Sequence, residues 1–230
     1  MTATPPGGEV PRAVHEWRRR VQAEYRSAAV TAQLVHWMIT AGLPEELVGT
    51  GLRIVGDELV HARLSQDCVV ALGGSDAPQA VDASLLAEPS SEGVLAALLD
   101  SLLSNFLFGE TLAVPLFRAL RERATHPAVD PVLTRILRDE AVHRAFGWEV
   151  LDEMLLLDPA GVRRRITERL PEVHAQFRAS YAPTGTDIPL SEADQAAGLM
   201  PASVYREVFY ATEPDLKRRF AQRDIPWPAP

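Results

Sequence analysis

Two tetrapeptides place a carboxylate and an imidazole three residues apart: Glu58-Leu59-Val60-His61 and Glu140-Ala141-Val142-His143. On a helix, residues three apart share a face, so each pair can converge on one metal ion. Composition alone predicts roughly half of one Glu-x-x-His in a chain of this length, so two copies on two helical segments exceed chance. A third carboxylate, Glu110, stands inside the long apolar run 94–117. Buried and unpaired, it would cost several kcal/mol, so it needs a proton, a partner or a metal. Glu24 adds a fourth carboxylate on the first helical segment. Four carboxylates drawn together repel unless cations offset them; two divalent metals would do so, and oxygen plus imidazole donors suit iron or manganese.

Side chains so far apart in sequence meet only if helices carry them to one level. No segment alternates apolar and polar residues long enough for a convincing sheet, so the chain reads as all-α. Helices are expected over 11–40, 44–72, 91–124, 130–157 and 158–181. A loop follows over 182–190, then short helices near 191–198 and 202–223. Gly42 and Pro44 mark the first turn, and Thr125-His126-Pro127 the second; Asp130 before Pro131 reads as an N-cap. The polar segment 75–92 is the long crossover between two helical hairpins. In an antiparallel hairpin, residues equidistant from the turn share a level. Glu24 and Glu58 are equidistant from Ala41, and Glu110 and Glu140 from Thr125, so all four fall on one layer. Glu16 would lie about two turns away. The expected organisation is a disordered lead-in over 1–10, a four-helix domain over 11–157, and a helical extension over 158–230 packing on it.

The array is one Glu from each of two helices and a Glu-x-x-His from each of the other two. It resembles the ferritin-like superfamily of di-metal carboxylate proteins, over about residues 11–157. The resemblance implies a ferritin-like four-helix bundle with one long crossover. It implies Glu24 and Glu110 as terminal ligands, Glu58 and Glu140 as bridges, and His61 and His143 as caps on one metal each. Both motifs are extended to Asp-Glu-x-x-His by Asp57 and Asp139, each placed to hold the histidine of the opposite helix. This doubled form is similar to the dioxygen-activating branch, and less so to storage ferritins, which usually lack the second histidine. Rubrerythrin-type peroxidases usually carry a further Glu where this chain has Ala113. The resemblance therefore implies a non-haem di-iron oxidase or oxygenase acting with O2 on a small organic substrate, with an external electron donor. The alternatives are a ferroxidase or iron-binding protein, and a manganese catalase or peroxidase.

Composition narrows the classes further. The chain has 230 residues, a net charge of −8 and one cysteine, Cys68. One cysteine excludes an internal disulfide framework, a Cys-rich zinc site and a self-contained iron–sulfur cluster. The acidic balance disfavours nucleic acid. The N-terminus has neither the basic nor the apolar part of a secretory signal, so a cytoplasmic protein is expected. The run 94–117 is apolar enough to span a membrane, but it carries Asp100, Asn105 and Glu110 and lacks a basic flank; a buried bundle helix is expected. A homodimer is compatible with the sequence.

Other residues carry weaker signals. Pro115, five residues after Glu110, should kink or bulge its helix; this either opens a path to the metals or is simply tolerated. Cys68 could border a pocket or be inert packing, and Tyr25 could be an oxidisable neighbour or a core phenol. Trp37, Phe146 and Trp148 read as core. His15, His36, His126 and His174 have no carboxylate at ligand spacing. The basic runs 18–20, 163–165 and 217–219 read chiefly as solvated faces, with docking of a donor or an acidic substrate as the other use.

Overall fold

The computed structural model describes residues 11–76 and 91–228. The expected lead-in over 1–10 and most of the crossover lie outside them. The described residues are all-α. Helix α1 (Arg12–Ala41) ends in a Schellman turn. Gly42 adopts φ 73°, its N–H bonds the Ile39 carbonyl at 3.1 Å, and the Leu43 N–H bonds Met38 at 3.0 Å. Glycine accepts this left-handed conformation without a Cβ clash. Pro44 then leads into α2 (Glu45–Ala71), whose first turn carries Glu45 and Glu46 at the positive end of the dipole.

The next helix is continuous from Val94 to Arg123 but not uniform. It runs as α3 (Val94–Leu102), a π-helical stretch (Leu103–Glu110) and α4 (Thr111–Arg123). The sequence puts the disturbance around Pro115, yet Pro115 sits inside α4 and the widened turns precede it, ending at Glu110. Close packing accompanies the wide stretch: a Cβ at Gly147 would lie 2.6 Å from the Phe106 Cβ, so only glycine lets the helix carrying it approach there. Over its most apolar window the helix has a mean hydropathy of 1.3, long and apolar enough to cross a membrane, and 56% of that window is buried inside the molecule.

Helix α5 (Asp130–Leu157) begins one residue earlier in its cap than expected. Val129 is the N-cap, with no side-chain cap bond. Asp130 lies inside the first turn, where it favours the helix dipole, and its side chain faces Arg121 at 3.6 Å. Asp158 alone separates α5 from α6 (Pro159–Tyr181) and caps it, accepting the Gly161 N–H at 2.9 Å. Two further helices follow: α7 (Glu192–Ala196), closed by a Ser191–Asp194 capping box, and α8 (Ala202–Ala221). Residues 225–228 are irregular.

Helix α1 packs on α2 and α3, while α5 packs on α2, the π-helical stretch and α4. Helix α6 covers α3 and α5, and α8 lies on α4 and α6. The Ala196 carbonyl at the end of α7 accepts the Thr125 and His126 N–H groups at 3.0 and 2.9 Å, pinning the turn before α5. Trp37, Phe146 and Trp148 are buried in one cluster that also takes in Leu216 and Phe220 of α8. Cys68 belongs to a second cluster with Trp17, on which Tyr25 packs.

Candidate metal centre

The six sequence-selected donors come together inside the protein. Glu24, Glu58, His61, Glu110, Glu140 and His143 are each between 0% and 8% exposed. Donor atoms of Glu24, Glu58, His61 and Glu140 lie within 4.8 Å of one another, as do those of Glu58, Glu110 and His143. These are two overlapping pockets that share Glu58.

The two histidines define the shape. His61 Nδ1 is 3.6 Å from Glu58 Oε2 and 3.7 Å from Glu140 Oε1. His143 Nδ1 is 3.3 Å from Glu58 Oε1 and 3.4 Å from Glu140 Oε2. Each of these two glutamates therefore turns one oxygen toward each histidine. The ring centroids stand 5.7 Å apart. Glu24 faces the charges of Glu58 and Glu140, and Glu110 those of Glu140 and Glu58.

The far sides of the rings face the aspartates of the opposite motifs. His61 Nε2 lies 3.2 Å from Asp139 Oδ2, and His143 Nε2 lies 3.6 Å from Asp57 Oδ2. Asp139 is held further by Arg135 Nε at 2.5 Å and Arg138 Nε at 3.0 Å. Arg135 also reaches Asp57 at 3.6 Å, so one guanidinium spans both aspartates. Arg135 carried no signal in the motif itself. Its position one helical turn before Asp139 was the available clue.

The buried carboxylates and imidazoles shift one another's titration. Burial, then the charges of Glu58 and Glu140, holds the Glu24 carboxyl well above its usual range. Burial and Glu140 do the same to Glu110. Burial would raise Glu58 too, but the imidazoles of His143 and His61 outweigh it and bring it down to about 2. Burial would lower His143, yet Glu140 and Glu58 carry it up to about 10. His61 is raised for the same reason, chiefly by Glu58 against burial. Both Glu58 carboxylate oxygens, Glu140 Oε2, His61 Nδ1 and both ring nitrogens of His143 are buried without a well-formed hydrogen bond. Buried polar atoms are nearly always paired, so this concentration of orphans at one point fits a site for metal ions.

Several residues outside the motifs take definite positions. Cys68 is buried, its Sγ 3.5 Å from the Ala128 carbonyl, and burial pushes its thiol up to about 12; it is packing. His174 lies 2.5 Å from Glu213 Oε1, a partner 39 residues away that no spacing rule could find. Most of the basic runs are engaged within the chain: Arg165 holds Asp100, Lys217 faces Glu213, and Arg218 and Arg219 hold Asp215. Arg20 differs. It lies over the rings of Trp17 and Phe117, at 4.8 and 4.9 Å, with a buried, unpartnered Nε.

Comparison of the chain with protein-family models, with curated proteins and with solved structures finds no match.

Proposed function

We propose that this chain is a non-haem di-iron oxidase or oxygenase with a ferritin-like four-helix bundle, formed by α1, α2, the helix Val94–Arg123 and α5. The observation that carries the reading is the pair of glutamates, Glu58 and Glu140, each facing both histidine Nδ1 atoms. Bridging carboxylates between two imidazole-capped ions have this shape. Two iron ions, when bound, supply the redox equivalents and the Lewis acidity for reaction with O2.

The chain's own residues do the rest. Glu58 and Glu140 would bridge, Glu24 and His61 would complete one metal's donors, and Glu110 and His143 the other's. Asp139 holds the Nε2 side of the His61 ring, which fixes its tautomer and leaves Nδ1 as the donor atom, while Asp57 faces His143 Nε2 at 3.6 Å without a hydrogen bond. The buried walls around the site keep bulk water from the reacting groups. The π-helical stretch ends at Glu110; such turns recur at functional sites. The substrate is a small organic molecule, and an external donor supplies further electrons. With 56% of its most apolar window buried inside the molecule, the helix Val94–Arg123 is read as a bundle helix, and the proposal keeps the protein cytoplasmic.

The test is anaerobic titration of the metal-free protein with Fe(II), then mixing with O2 while absorbance and bound iron are followed. Saturation near two irons, with a transient visible absorption and no further uptake, is expected. Continued uptake with a growing ferric mineral signal would make the protein a store. Binding of Mn(II) with hydrogen peroxide turnover would make it a catalase. Failure to bind either metal would overturn the proposal.

A further inference from the structure

Beside the acidic centre lies a cavity of about 730 Å³ with the opposite character. Its charged lining is three arginines, Arg12, Arg19 and Arg20, against one glutamate, Glu16. Glu16 is already engaged, 3.3 Å from Arg19. Much of the remaining wall is apolar, with Trp17, Leu120 and Leu133 among it. A chain of net charge −8 has therefore built a positive, largely apolar cavity. Pockets of this kind fix a ligand by a few convergent polar groups set in an apolar wall.

Arg20, Tyr181 and Tyr205 are those groups. The Arg20 Nε is buried without a hydrogen-bond partner, and Tyr181 and Tyr205 line the same cavity. The guanidinium carbon lies 4.8 Å from the Trp17 ring centroid and 4.9 Å from that of Phe117, so two rings hold the group in place. A stacked guanidinium held this way is pre-organised for a carboxylate, and loses little freedom on binding one.

The cavity also adjoins the candidate centre. Arg20 precedes Glu24 by one helical turn on α1, and its charge acts on Glu24, Tyr181 and Tyr205. The charge of Glu110 reaches Tyr181 in turn. We infer that this cavity binds an amphiphilic monocarboxylic acid, its carboxylate held by Arg20, Tyr181 and Tyr205 and its apolar body by the surrounding wall. That the acid is the substrate rests on the oxidase reading above; that it binds does not.

The test uses the full chain, metal-free and iron-loaded, with octanoate and its neutral isostere octanamide as calorimetric probes. Octanoate is expected to bind the metal-free protein about tenfold or more tightly than octanamide. Arg20→Gln should abolish that preference. The double variant Tyr181→Phe, Tyr205→Phe removes only hydroxyls and keeps the packing; it should weaken octanoate several-fold and leave octanamide unchanged. Equal binding of the two probes, or binding of neither, overturns the inference. Iron loading without octanoate binding sinks this inference and leaves the oxidase reading standing. Octanoate binding without iron loading does the reverse.

Discussion

His61 on α2 and Asp139 on α5 meet across the protein interior, Nε2 to Oδ2 at 3.2 Å, although 78 residues separate them. Each belongs to a different Asp-Glu-x-x-His motif, so the two motifs interlock rather than merely face each other. Asp139 is more firmly held than its counterpart. Burial would raise it, but Arg135 above all brings it below the usual carboxylate range. Asp57 is more exposed and lies 3.6 Å from His143.

This asymmetry has a measurable consequence for metal binding. Asp139→Asn should weaken affinity at one of the two sites by about 10- to 100-fold, the usual effect of removing a carboxylate behind a ligating histidine. Asp57→Asn should do less. Competitive titration with a chelating dye, read as two binding steps, checks the order. Equal losses for the two variants would contradict it.

The stability of the metal-free protein should depend on pH in an unusual direction. Glu24, Glu110, His61 and His143 all have raised values in the fold. A raised group stabilises fully below its unfolded value, and that stabilisation is lost as pH rises through the folded value. The loss should therefore start above about pH 4.5 for the two glutamates and continue through the His143 value of about 10. Glu58 has the opposite sign: its contribution is present above 4.5 and disappears as pH falls toward about 2. Thermal melts should give the metal-free chain its highest Tm in mildly acidic buffer. Loading with Fe(II) or Mn(II) should flatten the decline and release protons, because ligands must deprotonate to bind. A metal-free Tm that climbs from pH 5 to pH 9 would show that these four groups do not control the balance.

Glu110→Gln separates stability from metal binding. Burial and Glu140 favour the neutral Glu110 acid, so an isosteric neutral amide should leave the metal-free Tm unchanged or higher. The same substitution should remove much of the Tm gain that metal brings; a ligand at a hundred times its Kd contributes about 2.7 kcal/mol. Parallel melts with and without Mn(II) check both halves. Full retention of the metal-induced gain would remove Glu110 from the donor set.

Gly147→Ala tests the contact that accompanies the π-helical stretch. The new methyl would come within 2.6 Å of the Phe106 Cβ and 3.5 Å of its backbone. Overpacking of this sort costs about 1–3 kcal/mol. Because the stretch continues to Glu110, metal binding should weaken as well. Urea unfolding and metal titration on the same preparation would show the two losses together; a drop in stability with unchanged metal affinity would uncouple the stretch from the centre.

The helical elements were legible in the sequence because apolar periodicity and chain punctuation act locally. Gly42, Pro44, Asp158 and Pro159 stop and start helices through their own backbone preferences, and α5 ends and α6 begins where Asp158 and Pro159 place them. The six donors were legible for a related reason: Glu-x-x-His shares a helix face by geometry alone, and equal distance from a turn sets equal height. Nothing local marked the π-helical stretch, which the sequence reading put at Pro115. It comes with the contact between Phe106 and Gly147, 41 residues apart, so only packing could place it. The same holds for Arg20, which looked like one residue of a solvated basic run. Trp17, one turn before it, and Phe117, on another helix, both pack their rings against its guanidinium. Short-range periodicity can show which face of a helix turns inward; which charges meet a partner, and which are left without one, is decided only when the helices pack.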